Sequence, residues 1–260
     1  MKPEILYKLQ PVSLEEMSAA RLMNRIDTKY LATLHQLDKL LSLVAHDYRV
    51  VEIEGERMMP YYTCYFDTID AEMYYEHQRG KKARQKVRIR KYEGNSDLAF
   101  LEIKDKNNKG RTKKTRTEFI TDKDITEYSD FISENSNYRL DSLIKHIENH
   151  FYRITLVRND MSERVTIDSG IEFHNLITGE YVNLPQLVVI EWKRKAISES
   201  SPMKRFLKQL GIRESSFSKY VVGMAKTNQS LRINRIKKNL RKVSKILDRG
   251  TNFYHFSERS

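Results

Sequence analysis

Residues 86–120 read KVRIRKYEGNSDLAFLEIKDKNNKGRTKKTRTEFI. Three β-type runs, 86–92, 98–105 and 113–120, are separated by EGNSD at 93–97 and NNKGRT at 107–112. Both separators are short, polar and Gly-containing, as hairpin connections are. Side chains alternate faces along a strand, so Lys86, Arg88 and Arg90 share one face and Val87 and Ile89 the other. The same alternation puts Glu102 and Lys104 opposite Leu101 and Ile103, and groups Lys114, Arg116 and Glu118. An antiparallel meander follows, with one apolar and one strongly cationic face. A solvated sheet face would account for any one of these strands.

The pattern extends outward. Residues 24–33 read as a strand with Ile26, Thr28, Tyr30 and Ala32 opposite Arg25, Asp27, Lys29 and Leu31. Further strands are expected at 61–67 (YYTCYFD), 153–158, 164–168 and 187–195. In the last, Glu191 and Lys193 lie opposite Ile190 and Trp192, which predicts Trp192 packing under a helix on the outer face. Arg158, Arg164 and Lys29 add three more strand cations. Helices are expected at 14–22 with Ser13 as N-cap, at 35–45, at 142–150, and at 201–210 with Ser201 as cap and Pro202 at the first position. Facing like charges on neighbouring strands cost about 0.2–1 kcal/mol per pair. Cations on six or more strands therefore point to an anion that neutralises them. Closure of eight such strands would converge the side chains on one axis. The resulting cationic tunnel suits a chain of phosphates held by charge-assisted hydrogen bonds.

Composition bounds the alternatives. The chain has 260 residues, 47 Lys+Arg against 35 Asp+Glu, and a formal charge of +12. Two units are expected: residues 1–227 as the main domain and 228–260 as a basic amphipathic C-terminal helix and tail. In that helix Ile233, Ile236, Leu240, Val243 and Leu247 form the apolar stripe, and eight basic residues lie between Leu231 and Arg249. It either packs on the domain or docks on an anionic membrane surface or membrane-protein partner. The single Cys64 excludes an intrachain disulfide and reads as a small core residue. Without a leader-like start or a long apolar run, the expected location is cytoplasmic, with membrane association through the basic helix as the alternative. No phosphate loop, dinucleotide fingerprint, paired-cysteine motif or H-E-x-x-H occurs. His146 and His150, four apart on the expected helix, read as a helix face before a metal pair.

The ordered motifs NRIDTKY (24–30), CYFDT (64–68), KVRIRKY (86–92), LEIKDKNNKGRTKKTR (101–116), RVTID (164–168), VVIEWK (188–193) and FSKY (217–220) resemble the VTC-domain branch of the triphosphate tunnel metalloenzymes, a CYTH-like superfamily. That resemblance implies an α+β fold built on a closed eight-stranded antiparallel β-tunnel with flanking helices. It implies a metal-dependent phosphotransferase that moves the ATP γ-phosphate onto polyphosphate, with Mn²⁺ or Mg²⁺ as cofactor. An inorganic or nucleoside triphosphatase, or a non-catalytic polyphosphate or nucleotide sensor, is the alternative; nucleic acid is not an expected ligand. Matched residue by residue, Arg88, Arg90, Lys104, Lys193 and Lys219 are the catalytic cations. Lys29, Lys86, Lys114, Arg158, Arg164 and Ser218 would bind substrate phosphates. Glu191 matches the metal-binding glutamate. Glu102 is either a second metal ligand or an ion-pair partner, and Asp168 is read as orienting an arginine. The first strand carries Arg25, Asp27 and Lys29 where hydrolase and cyclase relatives carry two glutamates and a lysine, which argues against a two-metal hydrolase.

Overall fold

The alternating runs pair into one antiparallel sheet whose curvature sets everything that follows. The structure, a computed structural model, describes residues 3–19, 25–93, 98–109, 111–195 and 201–257. Its first elements are β1 (Pro11–Val12), α1 (Leu14–Ala19), β2 (Arg25–Thr33), α2 (Leu34–Val44), β3 (Tyr48–Val51), β4 (Met59–Asp67), α3 (Glu72–Arg79), β5 (Arg84–Tyr92) and β6 (Ala99–Lys106). Then come β7 (Thr112–Glu118), α4 (Ser129–Asn135), β8 (Ile144–Arg158), β9 (Glu163–Asn175), β10 (Tyr181–Leu184), β11 (Leu187–Lys195), α5 (Pro202–Gln209), α6 (Lys219–Thr227) and α7 (Lys237–Ser257). Eight strands follow the order β2-β11-β9-β8-β4-β5-β6-β7, with β1, β3 and β10 attached beside them. The fold is α+β, as expected.

The sheet curls far enough for its walls to face each other. Lys29 of β2 is among the charges acting on Lys86 of β5, and Glu191 of β11 acts on Lys104 of β6. Closure is not reached: among the described residues β2 and β7 do not pair, so the sheet is an open half-barrel and not the closed tunnel expected. The physical reason lies at the free edge of β2. Ser215 N–H donates to the Lys29 carbonyl at 2.8 Å, and Tyr30 bridges Glu214. The chain entering α6 thus occupies backbone groups that β7 would need. β7 is largely exposed and offers no apolar row to bury.

Each face of the sheet has its cover. Outside β2, β11, β9 and β8, Ala32, Ile154, Val165, Ile167, Ile190 and Trp192 pack with Leu37, Leu40 and Leu41 of α2 and Met203, Phe206 and Leu207 of α5. Trp192 therefore does pack under helices. Cys64 is buried in the other cluster, with Val87, Ile89, Leu101 and Ile103. The buried Glu163 ties the outer layer together. It accepts from Trp192 Nε1 (2.8 Å), Ser201 Oγ (2.9 Å) and the Tyr48 hydroxyl. Ser201 consequently spends its hydroxyl on Glu163 and makes no side-chain cap bond to α5, although Pro202 sits at the helix start. Asp67, from CYFDT, closes the start of α3 by accepting from Met73 N (2.9 Å), Tyr74 N (3.0 Å) and the Tyr220 hydroxyl.

Two expectations fail together. Residues 144–150 are the first half of β8, not a helix, because the Leu143, Ile144 and Ile147 spacing fits either period. Four strand residues separate His146 and His150 by about 13 Å, too far to share a metal. His146 Nε2 instead lies 2.7 Å from the Thr68 carbonyl. The C-terminal helix packs: Ile236 and Val243 are buried, with Leu240, Ile246 and Leu247 against the same cluster. No helix among the described residues is long and apolar enough to cross a membrane.

Helix α6 lies so close to the sheet that a Cβ on Gly223 would fall 2.5 Å from the Phe173 ring and 2.8 Å from Ile147 Cδ1. In an unconstrained helix alanine is better than glycine by about 1 kcal/mol. Here overpacking should reverse the sign, and Gly223→Ala should lower stability by about 1–3 kcal/mol. Urea denaturation measures this, and an unchanged or raised midpoint would contradict the packing of α6.

Candidate functional site

Strand register converts the alternating cations into rows across the concave face. Lys86 faces Lys104, which faces Lys114; Arg88 faces Glu102, which faces Arg116. On the opposite wall Lys29 faces Glu191 and Lys193 faces Arg164, while Arg153 of β8 faces Asp168 of β9. Three carboxylates each bridge two cations. Glu102 accepts from Arg88 Nε (2.8 Å) and Lys114 Nζ (2.7 Å). Asp168 accepts from Arg153 Nε and Nη2 (2.6 and 2.8 Å) and from Lys219. Glu191 pairs with Lys29 (3.1 Å) and Lys193 (2.8 Å).

A second set of cations has no carboxylate partner among the described residues. Arg90 gives Nε to Thr63 Oγ1 at 3.3 Å and lies over the Tyr61 ring at 5.7 Å. Lys86 donates to Ser218 Oγ at 2.8 Å, and Ser218 also caps α6 by accepting from Val221 N. Lys104 stands between these two groups without an ion pair. Helix α6 thus delivers Ser218 and Lys219 to the channel floor, with the Lys219 ammonium over the Phe151 ring at 3.9 Å.

The electrostatics follow this division. Burial raises the Glu102, Asp168 and Glu191 carboxyls, but their cations overcome it and hold all three well below the usual range. Burial together with Lys29, Arg84, Arg88 and Lys106 pushes the Lys86 ammonium down to about 7. Arg88, burial and Arg90 lower Lys104. Burial brings Lys219 down to about 8 against the pull of Asp168. Cations crowded at one wall without neutralising partners among the described residues give that wall a local excess of positive charge, which favours an anion of several charges.

Of the expected phosphate ligands, Lys29, Lys86, Arg88, Arg90, Lys104, Lys114, Lys193, Lys219 and Ser218 converge on this channel. Arg164 also shares its face, where it donates Nη2 to the Met17 carbonyl at 3.2 Å and leaves Nε buried without a hydrogen-bond partner among the described residues. Arg158 does not converge. It lies on the outer face, paired with Asp160 (3.5 Å) and the buried Glu163 (3.3 Å). Arg153 takes the inner position instead, because residues five apart on a strand face opposite ways. Asp168 does orient an arginine, and that arginine is Arg153. Its signal in sequence was the partner carboxylate on RVTID, but only register identifies the pair. Arg84 and Lys106, paired in register at one end of the channel, were also missed.

Among the described residues, no group of three or more His, Cys, Asp or Glu side chains is placed to hold a metal ion. Glu102 is sealed, at 0% side-chain exposure, and its oxygens are taken, which favours its ion-pair reading. Glu191 is 21% exposed and its partner Lys29 is 38% exposed, so that carboxylate is reachable from the channel. Both of its oxygens are also engaged, Oε1 by Lys29 and Oε2 by Lys193, so a divalent cation bound there would displace a lysine and take its remaining ligands from phosphate oxygens.

Comparison with known proteins agrees with the motif order. The VTC-domain family model matches residues 24–228, and the chain belongs to the VTC-domain family. The PH1819 protein from Pyrococcus horikoshii OT3 is 12% identical with a TM-score of 0.44, covering 77% of this chain and 99% of its own. The candidate adenylyl cyclase HpAC1 from Hippeastrum, described as having a dominant triphosphatase activity, is 16% identical with a TM-score of 0.47, covering 79% and 97%. Similarity at this level says nothing of what this chain acts on. No match to a curated protein is found.

Two tests follow from the charges. Lys86 and Lys219 gain protons as pH falls through about 7 and about 8, so anion binding should strengthen in that direction. Stabilisation by sulfate, whose charge is constant here, should be larger at about pH 6 than at about pH 9. Lys86→Gln should flatten that dependence, and a profile identical to wild type would refute the assignment. Asp168→Asn leaves Arg153 and Lys219 buried without their counter-charge and should cost about 3–5 kcal/mol in denaturant unfolding.

Proposed function

We propose that the protein is a triphosphate-processing phosphotransferase that moves the γ-phosphate of ATP onto a polyphosphate chain. The observation carrying this reading is the wall of Lys86, Lys104 and Arg90, two partly buried lysines and a buried arginine with no carboxylate partner of their own among the described residues. A linear polyanion supplies closely spaced charges along one axis, which matches rows of cations on both walls. Arg88 binds Glu102 through Nε and Nη2 and also interacts with Tyr65, and its guanidinium would add its charge to the phosphate site. Arg90, Lys104, Lys193 and Lys219 would share the other oxygens, and Ser218 would offer its hydroxyl. Glu191 would hold the divalent metal, which when bound supplies charge neutralisation at the phosphate oxygens.

The transfer itself asks little covalent work of the protein. A terminal oxygen of the acceptor chain attacks the γ-phosphorus, the bond to the β-phosphate oxygen breaks, and ADP leaves. Positioning and electrostatic stabilisation carry such a step. The first strand supports a chain acceptor over a two-metal hydrolase. Arg25 binds Asp27 at 3.1 Å in an exposed ion pair, and Lys29 holds Glu191, so β2 offers no pair of free carboxylates.

Incubation with ATP and Mn²⁺ should yield chains longer than triphosphate, resolved by gel electrophoresis. Arg90→Ala and Lys104→Ala should each reduce the rate by about 10²-fold or more, on the scale of losing one transition-state charge contact. Free phosphate without chain growth would replace the polymerase reading by a triphosphatase. Tight triphosphate binding without turnover, unaffected by Glu191→Ala, would identify a sensor.

A further inference from the structure

Outside the channel the densest uncompensated charge lies on α7. Lys237, Arg241, Lys245 and Arg249 recur every four residues, forming one stripe along roughly 18 Å of helix. All four are exposed, and none makes an ion pair with a described residue. Like charges at this spacing oppose helix formation, so local stability does not explain the stripe. Packing does not explain it either, because the opposite side of α7 supplies the buried Val243, with Leu240 and Leu247 packed beside it. Over residues 237–249 the apolar side of the helix, Leu240, Val243, Ile246 and Leu247, is packed against the protein and not presented to a lipid surface.

The stripe starts beside the channel. Arg235, just before α7, donates Nη1 to the Arg79 carbonyl at the end of α3 (2.6 Å), and the Tyr74 hydroxyl holds the Arg232 carbonyl (3.1 Å). From α3 the chain leads through Lys81, which Glu76 neutralises, to Arg84. Arg84 faces Lys106 across the strands, and both act on Lys86 inside the channel. Positive charge therefore runs from Lys86 past Arg84 and Lys106 to Arg235 and onto the stripe.

We propose that the Lys237–Arg241–Lys245–Arg249 stripe extends the channel as a surface track for the part of a condensed phosphate chain that projects beyond the mouth. This rests on the reading of the channel as a triphosphate site. A linear polyanion is the occupant that charge and continuity favour.

The test uses the full chain and calorimetric titration with tripolyphosphate and with long-chain polyphosphate at two salt concentrations. In wild type, affinity should rise about tenfold or more from the short to the long ligand, with a steeper salt dependence for the long one. The variant carrying Lys237→Gln, Arg241→Gln, Lys245→Gln and Arg249→Gln should bind tripolyphosphate within about twofold of wild type and lose the gain with length. Retention of that gain overturns the track. Loss of binding to phosphatidylserine vesicles in the variant, with the length gain intact, also overturns it and assigns the stripe to a membrane. Failure of wild type to bind tripolyphosphate removes the channel reading itself, and the track with it.

Discussion

A carboxylate bridging two cations across neighbouring strands is the constraint on which the concave face depends. The channel could not exist as a bare cationic cavity, since buried like charges repel and each loses its hydration. Glu102, Asp168 and Glu191 solve this locally, each seated between two cations. They also link the walls: Asp168 ties β8 and β9 to the start of α6, and Glu191 ties β11 to β2. What they leave unneutralised, chiefly Lys86, Lys104 and Arg90, is concentrated on β5 and β6. The resting protein thus stays folded while one wall keeps a deficit that only an anion can fill.

The same arrangement separates structure from site by face. Outside the sheet, Glu163 and the apolar residues of α2 and α5 hold strands in place. Inside, β5 carries a charge at four successive alternate positions, Arg84, Lys86, Arg88 and Arg90, and its neighbours carry Glu102, Lys104 and Lys106. Helix α6 joins the two, because Gly223 lets it press on Phe173 and Ile147 while its first turn carries Ser218 and Lys219 into the channel. A change in the packing of α6 therefore reaches Ser218 and Lys219 in the channel without touching them.

Much of this was legible in the sequence. The strands at 86–92, 98–105, 113–120 and 187–195 and the amphipathic helix at 35–45 all formed close to their expected bounds, because each carries a strong local period. Most of the channel cations were found because alternation within a strand needs no partner. The helix expected over 142–150 failed where nine residues fit both periods, and with it the histidine pair. Arg158 failed for a related reason. The register of β8 against β9 shifts between His150 and Tyr152, and which of Arg153 and Arg158 turns inward depends on that pairing. An irregularity of one residue exchanges the faces of everything beyond it.

The sequence by itself determined the family, most of the long strands, and the concentration of cations on one face of several of them, since all of these are encoded in local order and period-two alternation. Tertiary structure alone decided which cation meets which carboxylate, that Arg153 and not Arg158 enters the channel, and that Glu102 is sealed while Glu191 remains reachable. It also decided that the sheet stays open, with the segment before α6 on the edge of β2. These depend on register, curvature and competition for backbone hydrogen bonds between residues far apart in the chain, and no local pattern carries that information.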